Sequence, residues 1–331
     1  MSSLITSTID YDKEGIQHGY LQLLHSVHRS AYGFIPIPIA SLKNGEGPTV
    51  LLMAGNHGDE YEGQVILSSL IRELPVEQVR GQLLILPMAN FPAAEAGLRT
   101  SPLDQGNLNR SFPGVDTGTP TQQIAHYIEH TLLRRADFMF DLHSGGSSLF
   151  YTPTVLFSLT PDDPYLEIKQ KIGEAFALPH TLYFERSDAG SFSSAAAFRQ
   201  GVCNVLTELA GGGTVSKGLP KLAGDGLKRS LKLIGAITEA PELKTNTVRR
   251  SFDAEGSLFA TEPGVYEPFA DPGDDVEPGQ LAALIHRPET PGREPVELYF
   301  EKKGVILAKR QPARVIRGDC LFHIGVDEKT L

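Results

Sequence analysis

The sequence predicts an α/β fold with a mixed, mostly parallel sheet flanked by helices, followed by a smaller all-β domain. Short apolar runs that end in glycine-containing turns alternate with helical segments over the first part of the chain. After about residue 243 the pattern changes to short strands separated by turn residues. We therefore expect two domains, an α/β domain at 1–243 and a β-domain at 244–331.

Composition excludes several classes of protein. Hydrophobic residues make up 40% and charged residues 21% of the 331 positions, which is typical of a globular protein. The formal net charge of −10 argues against a nucleic-acid-binding surface. We find no membrane-spanning run and no secretory signal. The two cysteines, Cys203 and Cys320, lie in apolar runs without a CxxC neighbour, so we expect reduced thiols and a cytoplasmic protein.

The first elements follow from apolar runs and turn signals. "FIPIPIASL" alternates apolar residues with proline, which favours an edge strand because proline cannot donate to a central ladder. "NGEG" is a turn signal, and the buried strand "PTVLLMAG" that follows it predicts a hairpin with the preceding strand. Helical periodicity then covers 60–74, and "GQLLILPMAN" at 81–90 is the next buried strand.

A segment of about 30 residues with little periodicity separates 90 from 120, and loops of that length tend to be functional or disordered. Beyond it the helical and strand patterns alternate again. The remaining predicted elements are a helix at 120–135, the strand "DFMFDLH", a helix beginning with Thr160 and Pro161, the strand "HTLYFE", a short helix at 191–200, the strand "VCNVLTEL" and a helix at 217–239.

Polar side chains stand where the buried strands end. In α/β sheets, ligands bind outside the carboxyl ends of the strands. His57 and Glu60 follow one strand, the segment Arg99–Arg110 follows the next, and His143 and Glu208 end two more. Since these segments are separate in the chain, their shared position at strand ends predicts one site better than any single motif does.

His57 and Glu60 are three residues apart at the start of a helix, so both can face one cation. The alternative is that Asp59 or Glu60 caps the helix. His143 favours the metal, because two histidines and one carboxylate are the usual ligands of a catalytic zinc. Asp141 can orient His143 or simply be a polar strand-end residue. Gly55, Gly58 and Gly63 are predicted to form the turn.

Glu208 follows the apolar run "VCNVL", where a buried carboxylate is costly unless it has a partner. It is either part of a salt bridge or a general base.

Arg99, Asn109 and Arg110 lie in the long loop. Arginines bind carboxylates in a bidentate manner or stabilise an oxyanion, although solvated surface arginines are common.

Four motifs together, "GNHGDEYEG", "LRTSPLDQGNLNRSFPG", "DLHSGG" and "TELAGGG", resemble the succinylglutamate desuccinylase/aspartoacylase family. The resemblance covers residues 45–215 and implies a zinc-carboxypeptidase-like fold. It implies one zinc ion on His57, Glu60 and His143, with Glu208 as the general acid/base. It also implies that Arg99 assists the scissile carbonyl, and that Asn109 and Arg110 hold a substrate carboxylate.

The resemblance further implies a metal-dependent amidohydrolase that acts on linear amides of small N-acyl amino acids. "GNHGDEYEG" and the chain length are most similar to the deacetylases of N-acetyl-diaminobutyrate within the family. The alternatives are succinylglutamate desuccinylase or aspartoacylase activity, a carboxypeptidase, a non-catalytic zinc-binding protein, and cobalt or manganese in place of zinc. We expect a small-molecule substrate and a possible homo-oligomer. We also expect the β-domain to cover the cleft or mediate assembly, and the sequence leaves open whether Tyr266 or Glu267 reaches the site.

Overall fold

The computed structural model describes residues 4–159, 163–185, 190–243 and 250–327. Within these ranges the chain forms strands and six α-helices. The helices are α1 (Tyr61–Glu73), α2 (Phe91–Ala96), α3 (Pro120–Tyr127), α4 (Leu166–Phe176), α5 (Ser193–Arg199) and α6 (Leu219–Leu233). The strands are β1 (Thr6–Ser7), β2 (Gly15–Leu24), β3 (Phe34–Asn44), β4 (Thr49–Ala54), β5 (Gly81–Leu86), β6 (Phe138–His143), β7 (Leu149–Tyr151), β8 (Thr154–Leu159), β9 (His180–Glu185), β10 (Cys203–Glu208), β11 (Arg250–Phe259), β12 (Gly264–Pro268), β13 (Asp275–Val276), β14 (Leu281–His286), β15 (Val296–Tyr299), β16 (Gly304–Arg310), β17 (Arg314–Val315) and β18 (Cys320–Asp327).

Most strands belong to one mixed sheet, with the order β1-β2-β3-β5-β4-β6-β10-β8-β9-β11-β18-β16-β13. The centre, β5-β4-β6-β10, is parallel, as are the pairs β8-β9 and β9-β11. The other pairs along this order are antiparallel, and one of them, β10-β8, separates the two parallel blocks. The predicted mixed α/β fold is confirmed.

Helices cover both faces of the parallel centre. Alternate residues of β4 point to opposite sides, with Val50 and Leu52 in one apolar cluster and Leu51 and Met53 in the other. The first cluster includes residues of α1, α4 and α6, and the second includes residues of α3 and α5. Because both faces are covered, the central strands are continuous apolar runs and not alternating patterns.

Several predicted boundaries differ from the observed ones. The helix expected at 120–135 is α-helical only to Tyr127 and then continues as a π-turn and a 3₁₀ turn to Arg135. The long segment after β5 is partly ordered, since it contains α2 and a 3₁₀ turn at Leu108–Arg110. The predicted helix start at Thr160 and Pro161 lies outside the described residues.

The prediction of β3 as an edge strand that forms a hairpin with β4 was wrong. β3 lies between β2 and β5, its hairpin partner is β2, and β5 separates it from β4. The prolines remain compatible with this position because β5 pairs only with Ala40–Asn44, whereas Pro36 and Pro38 have β2 as their one neighbour. "NGEG" therefore starts a crossover and not a hairpin.

The C-terminal region contributes to two sheets. β12, β14, β15 and β17 form a separate antiparallel sheet, in the order β15-β14-β12-β17, whereas β11, β13, β16 and β18 extend the main sheet. An apolar cluster that includes Tyr266, Phe300 and Phe322 fills this region. The division at 243/244 adjoins residues that the structure does not describe, so it stays a prediction. No helix among the described residues has both the length and the apolar character needed to cross a bilayer.

Glycines shape the loop between β4 and α1 in three different ways. Gly55 has a φ of +66°, in the left-handed region that glycine adopts without steric cost, and this conformation turns the chain after β4. Gly58 has no room for a side chain, since a Cβ atom there would lie 2.0 Å from the carbonyl carbon of Ala93 in α2. Gly63 was predicted as a turn residue, but it lies inside α1 and allows that helix to approach Leu142 of β6.

We predict that Gly58→Ala destabilises the protein by about 1–3 kcal/mol, because the added methyl group forces α2 away from the β4–α1 loop. The measurement is the free energy of unfolding in denaturant. Gly292→Ala is the control, since Gly292 is exposed and a Cβ atom there has open space. That variant is expected to change stability by less than about 0.5 kcal/mol. Equal stability of both variants would contradict the close packing described for Gly58.

Candidate active site

Three adjacent parallel strands deliver four of the predicted site residues to one edge of the sheet. β4 ends at Ala54 and leads into the loop that carries His57 and Glu60. β6 ends at His143 and β10 ends at Glu208, and these two residues are directly opposite each other in the parallel register. The convergence predicted from strand ends is therefore observed.

Glu60 bridges the two histidines. Its Oε1 lies 2.6 Å from His57 Nδ1 and its Oε2 lies 2.8 Å from His143 Nδ1. One ligand atom from each of the three residues lies within 4.8 Å of the others, and all three residues are buried. The arrangement is that of a metal site with two imidazoles and one carboxylate.

The outer nitrogen of each imidazole has its own acceptor. His57 Nε2 lies 3.1 Å from Asn107 Oδ1, and His143 Nε2 lies 3.0 Å from Asp141 Oδ2. When each Nε2 carries the proton and donates it outward, both Nδ1 lone pairs are left to face Glu60 and a cation. The residues present therefore fit a divalent metal with a preference for nitrogen and oxygen ligands.

Charge inside the triad is balanced by mutual attraction. Burial raises the pKa of Glu60, but the nearby His143 and His57 outweigh it and hold that pKa well below its usual range. For His143, burial favours the neutral ring, yet Asp141 and Glu60 together raise its pKa well above the usual value. Glu60 and His143 thus stabilise each other's charged forms, and a bound cation would take over the role of the positive partner.

Asp141 is fully buried and connects several parts of the site. Its Oδ2 accepts hydrogen bonds from Asn56 Nδ2 at 3.0 Å and from Ser193 Oγ at 2.6 Å, in addition to His143. Burial raises its pKa, but the charge of His143 and these hydrogen bonds have the larger effect, so the pKa of Asp141 lies below its ordinary value. Of the two roles open to Asp141 from the sequence, the structure supports the orienting one.

Asp59 does not belong to the triad, as expected, but it is also not a helix cap. Its Oδ2 accepts hydrogen bonds from the backbone N and the Oγ of Ser147, at 2.8 and 2.7 Å. The N-cap position of α1 is Glu60, which makes no capping hydrogen bond with its side chain. Asp59 therefore ties the β4–α1 loop to the turn that follows β6.

Asn107 and Ser193 are site residues that sequence reasoning missed. Asn107 lies two positions before Asn109 in the same quoted motif, so its place in "NLNRS" was an available signal. Ser193 begins α5, and its backbone N donates to Asn109 Oδ1 at 2.9 Å while its Oγ donates to Asp141. Nothing in the local sequence of α5 distinguishes Ser193 from an ordinary helix-start serine.

The long loop brings its polar residues to the triad. Arg99 NH1 lies 3.5 Å from Glu60 Oε1, and the Arg99 side chain is 45% exposed, so it can still bind a ligand. Asn109 Nδ2 lies 3.5 Å from His143 Nε2. The Arg110 guanidinium lies 4.5 Å from the ring centroid of Phe192. Partial burial, and then the charge of Arg99, lower the pKa of Arg110.

Glu208 has no ion-pair partner within the described part of the chain, so the salt-bridge alternative is not supported there. Its Oε2 is buried without a hydrogen-bond partner. Burial, followed by the charge of Glu60, raises the pKa of this carboxyl well above its ordinary value. An unpaired buried carboxylate beside a metal site is a group that can exchange a proton with a ligand.

A cavity of about 550 Å³ joins these groups. It is lined by His57, Glu60, Arg99, Asn109, Arg110, His143, Ser144, Gly145, Leu149, Tyr151, Leu156, Phe184, Gly190, Phe192, Ser193, Ser194, Leu206, Thr207, Glu208 and His323. The C-terminal region reaches the cavity through His323. Tyr266 packs against Phe322 and Glu267 pairs with His286 on the surface, and neither residue lines the cavity.

Known proteins resemble this chain over nearly its full length. Residues 46–234 match the family model of the succinylglutamate desuccinylase/aspartoacylase catalytic domain. The N-alpha-acetyl-L-2,4-diaminobutyric acid deacetylase of Halomonas elongata is 38% identical, with 98% of this chain and 95% of that protein covered.

Solved structures agree. The product-bound ectoine utilization protein EutE (DoeB) of Ruegeria pomeroyi has a TM-score of 0.94 at 36% identity, covering 98% of this chain and 99% of that one. A succinylglutamate desuccinylase from a Silicibacter species has a TM-score of 0.92 at 36% identity, covering 99% and 100%. The chain belongs to the succinylglutamate desuccinylase/aspartoacylase family and is an amide-hydrolysing deacylase.

Proposed function

We propose that this deacylase is a zinc enzyme that removes the acetyl group from an N-acetylated 2,4-diaminobutyrate. The observation that carries the proposal is the carboxylate of Glu208, whose Oε2 is buried without a hydrogen-bond partner, in the same cavity as the His57–Glu60–His143 triad. The substrate follows the Halomonas relative, which is named for that deacetylation. We also propose that the enzyme works in the cytoplasm.

Zinc is the metal that the donor set supports best. Two neutral imidazoles and one carboxylate form the three-ligand set of catalytic zinc sites, in which a fourth position stays open. A zinc ion held there would polarise the amide carbonyl and lower the pKa of a water molecule toward 7. His57, Glu60 and His143 would hold the ion, with Asn107 and Asp141 fixing the orientation of the imidazoles.

In the proposed mechanism Glu208 moves the proton. It takes a proton from the attacking water and returns it to the departing amine nitrogen. A carboxyl with a raised pKa is suited to both steps, because it holds a proton long enough to transfer it to the leaving group. The absence of a competing ion pair within the described residues leaves Glu208 available for this exchange.

Three residues of the long loop position the substrate in the proposed mechanism. Arg99, close to Glu60, donates to the oxygen on which negative charge develops. Arg110 and Asn109 hold the α-carboxylate, and Ser193 fixes the Asn109 amide so that its NH₂ group faces the site. The stacking of Arg110 on Phe192 restricts the guanidinium plane and lowers the entropy cost of binding.

Charge in the cavity favours a monocarboxylate with a basic side chain over a dicarboxylate. Among the described lining residues, Arg99 and Arg110 are the only lysine or arginine side chains. The proposed mechanism uses one for the carbonyl and one for the α-carboxylate. A second carboxylate, as in succinylglutamate or acetylaspartate, would then lack a cation, which argues against these two family activities.

The remaining alternatives are less well supported. A carboxypeptidase needs an open cleft for a long chain, whereas His323 of the C-terminal region closes part of this cavity. A non-catalytic zinc protein has no use for Glu208, Arg99 and Arg110 together in one cavity. The family relationship makes the protein an enzyme.

A substrate panel tests the proposal. The zinc-loaded enzyme is expected to hydrolyse N-acetyl-2,4-diaminobutyrate with a higher kcat/KM than N-acetylaspartate, N-succinylglutamate or an acetylated dipeptide. Incubation with a chelator, followed by removal of the chelator, is expected to abolish turnover, and added zinc is expected to restore it. Preference for a dicarboxylate, or turnover unaffected by chelation, would overturn the proposal.

Glu208→Ala is expected to lower kcat by about 10²–10⁴-fold, because the proton carrier is lost while the metal ligands remain. Metal content per chain should stay at the wild-type level, measured by elemental analysis. Glu242→Ala is the matched control, since Glu242 is exposed and outside the cavity. A Glu208→Ala enzyme with near-normal turnover would contradict the assigned role.

Asp141→Asn is expected to weaken zinc binding by about 10–100-fold, since an amide NH₂ facing His143 Nε2 disturbs the orientation of that ligand. Competition with a coloured zinc chelator measures the affinity. Asp137→Asn is the control, because Asp137 precedes the opposite end of the same strand and is exposed. Unchanged affinity in Asp141→Asn would show that His143 is oriented without it.

A further inference from the structure

One wall of the cavity comes from strands that carry neither the metal triad nor the arginines. Tyr151 ends β7 and His323 lies in β18, and both strands pair with β16. The Tyr151 hydroxyl and His323 Nδ1 are 2.7 Å apart, and the two rings meet edge to face. Both side chains line the cavity.

This pair carries no net charge. Burial lowers the pKa of His323, which keeps the imidazole neutral near pH 7. Burial, and then the negative charge of Glu208, raise the pKa of Tyr151, which keeps the phenol protonated. Glu208 lines the same cavity as the pair.

The pair offers one hydrogen-bond acceptor and one donor to the cavity whichever way its shared proton points. When the Tyr151 hydroxyl donates to His323 Nδ1, the phenol oxygen retains free lone pairs and Nε2–H is the donor. When His323 Nδ1 donates instead, the Nε2 lone pair becomes free and the Tyr151 hydroxyl is the donor. Neither the hydroxyl nor Nε2 has another hydrogen-bond partner within the part of the chain that the structure describes.

We propose that Tyr151 and His323 form the subsite for the side chain of the substrate amino acid, and that this subsite accepts an ammonium group and disfavours a carboxylate. The inference rests on the proposed function, in which Arg110 and Asn109 hold the α-carboxylate and Arg99 faces the carbonyl. Those contacts leave the side chain of the substrate to the wall formed by this pair.

The neighbouring charge gives the subsite its preference. An ammonium group there donates to the acceptor that the pair offers and is attracted by Glu208 when that residue is ionised and acts as the base. A carboxylate in the same place would be repelled by ionised Glu208. It would also find no arginine or lysine among the described lining residues beyond Arg99 and Arg110. The wall thus discriminates by charge although the pair itself is neutral.

The test compares two substrates with the same carbon skeleton. N-acetyl-2,4-diaminobutyrate and N-acetyl-2-aminobutyrate differ by the side-chain amine, so the ratio of their kcat/KM values measures recognition of that amine. Tyr151→Phe removes one oxygen atom and keeps the ring. We expect that ratio to fall roughly 10- to 100-fold in Tyr151→Phe and in His323→Leu, as for a lost hydrogen bond to a charged group.

His286→Ala is the control, because His286 is also a histidine on a strand of the C-terminal region, but it pairs with Glu267 outside the cavity. Its ratio should equal that of the wild type. Thermal unfolding and zinc content, measured for every variant, identify a loss that comes from misfolding. Tyr151→Phe remains informative if His323→Leu does not fold.

The outcomes separate the two proposals. Wild-type preference for the amine substrate that disappears in the variants supports both. Wild-type preference that survives in Tyr151→Phe and His323→Leu overturns the subsite and leaves the function intact. Wild-type preference for N-acetylaspartate overturns the substrate assignment and the subsite together.

Discussion

The structure depends on one buried carboxylate held between two imidazoles. Glu60 is almost fully buried, and an ionised carboxylate in that position is tolerated only with partners of opposite charge and with donors on both oxygens. The Nδ1 atoms of His57 and His143 lie beside its two oxygens, and the backbone N of Ser144 donates to Oε2 at 3.2 Å. These partners come from the β4–α1 loop, from the end of β6 and from the residue after it, so Glu60 meets them only because β4 and β6 lie side by side.

That requirement explains the packing around the β4–α1 loop. Glu60 reaches both histidines only when the loop turns sharply at Gly55 and lies directly on α2 at Gly58. Asp141 and Asn107 then accept from the outer nitrogens of the imidazoles, and Ser193 donates to Asn109 in the long loop. Such a network stabilises the fold most when each of its polar groups has a hydrogen-bond partner. A buried polar group that loses its partner is costly, because the protein interior has a low dielectric constant.

The residues at strand ends could be predicted from the sequence, and the contacts between distant segments could not. Apolar runs identified β4, β6 and β10, and the rule for strand ends placed His57, His143 and Glu208 at one edge of the sheet. The neighbours of β3 could not be predicted, because a turn signal such as "NGEG" does not state which strand follows in space. Ser193 and His323 escaped notice for the same reason, since each acts through a partner far away in the chain.

The C-terminal strands matter because metal ligands alone do not select a substrate. The triad and Glu208 can serve any amide that reaches them, so specificity must come from the rest of the cavity wall. β11 joins the main sheet by pairing with β9. β18 and β16 extend the sheet beyond β11, and β16 also pairs with β7. One continuous hydrogen-bonded sheet therefore carries both Glu208 and His323. Because a sheet resists shear between its strands, the distance between Glu208 and the Tyr151–His323 pair is set by the fold and not by a flexible loop.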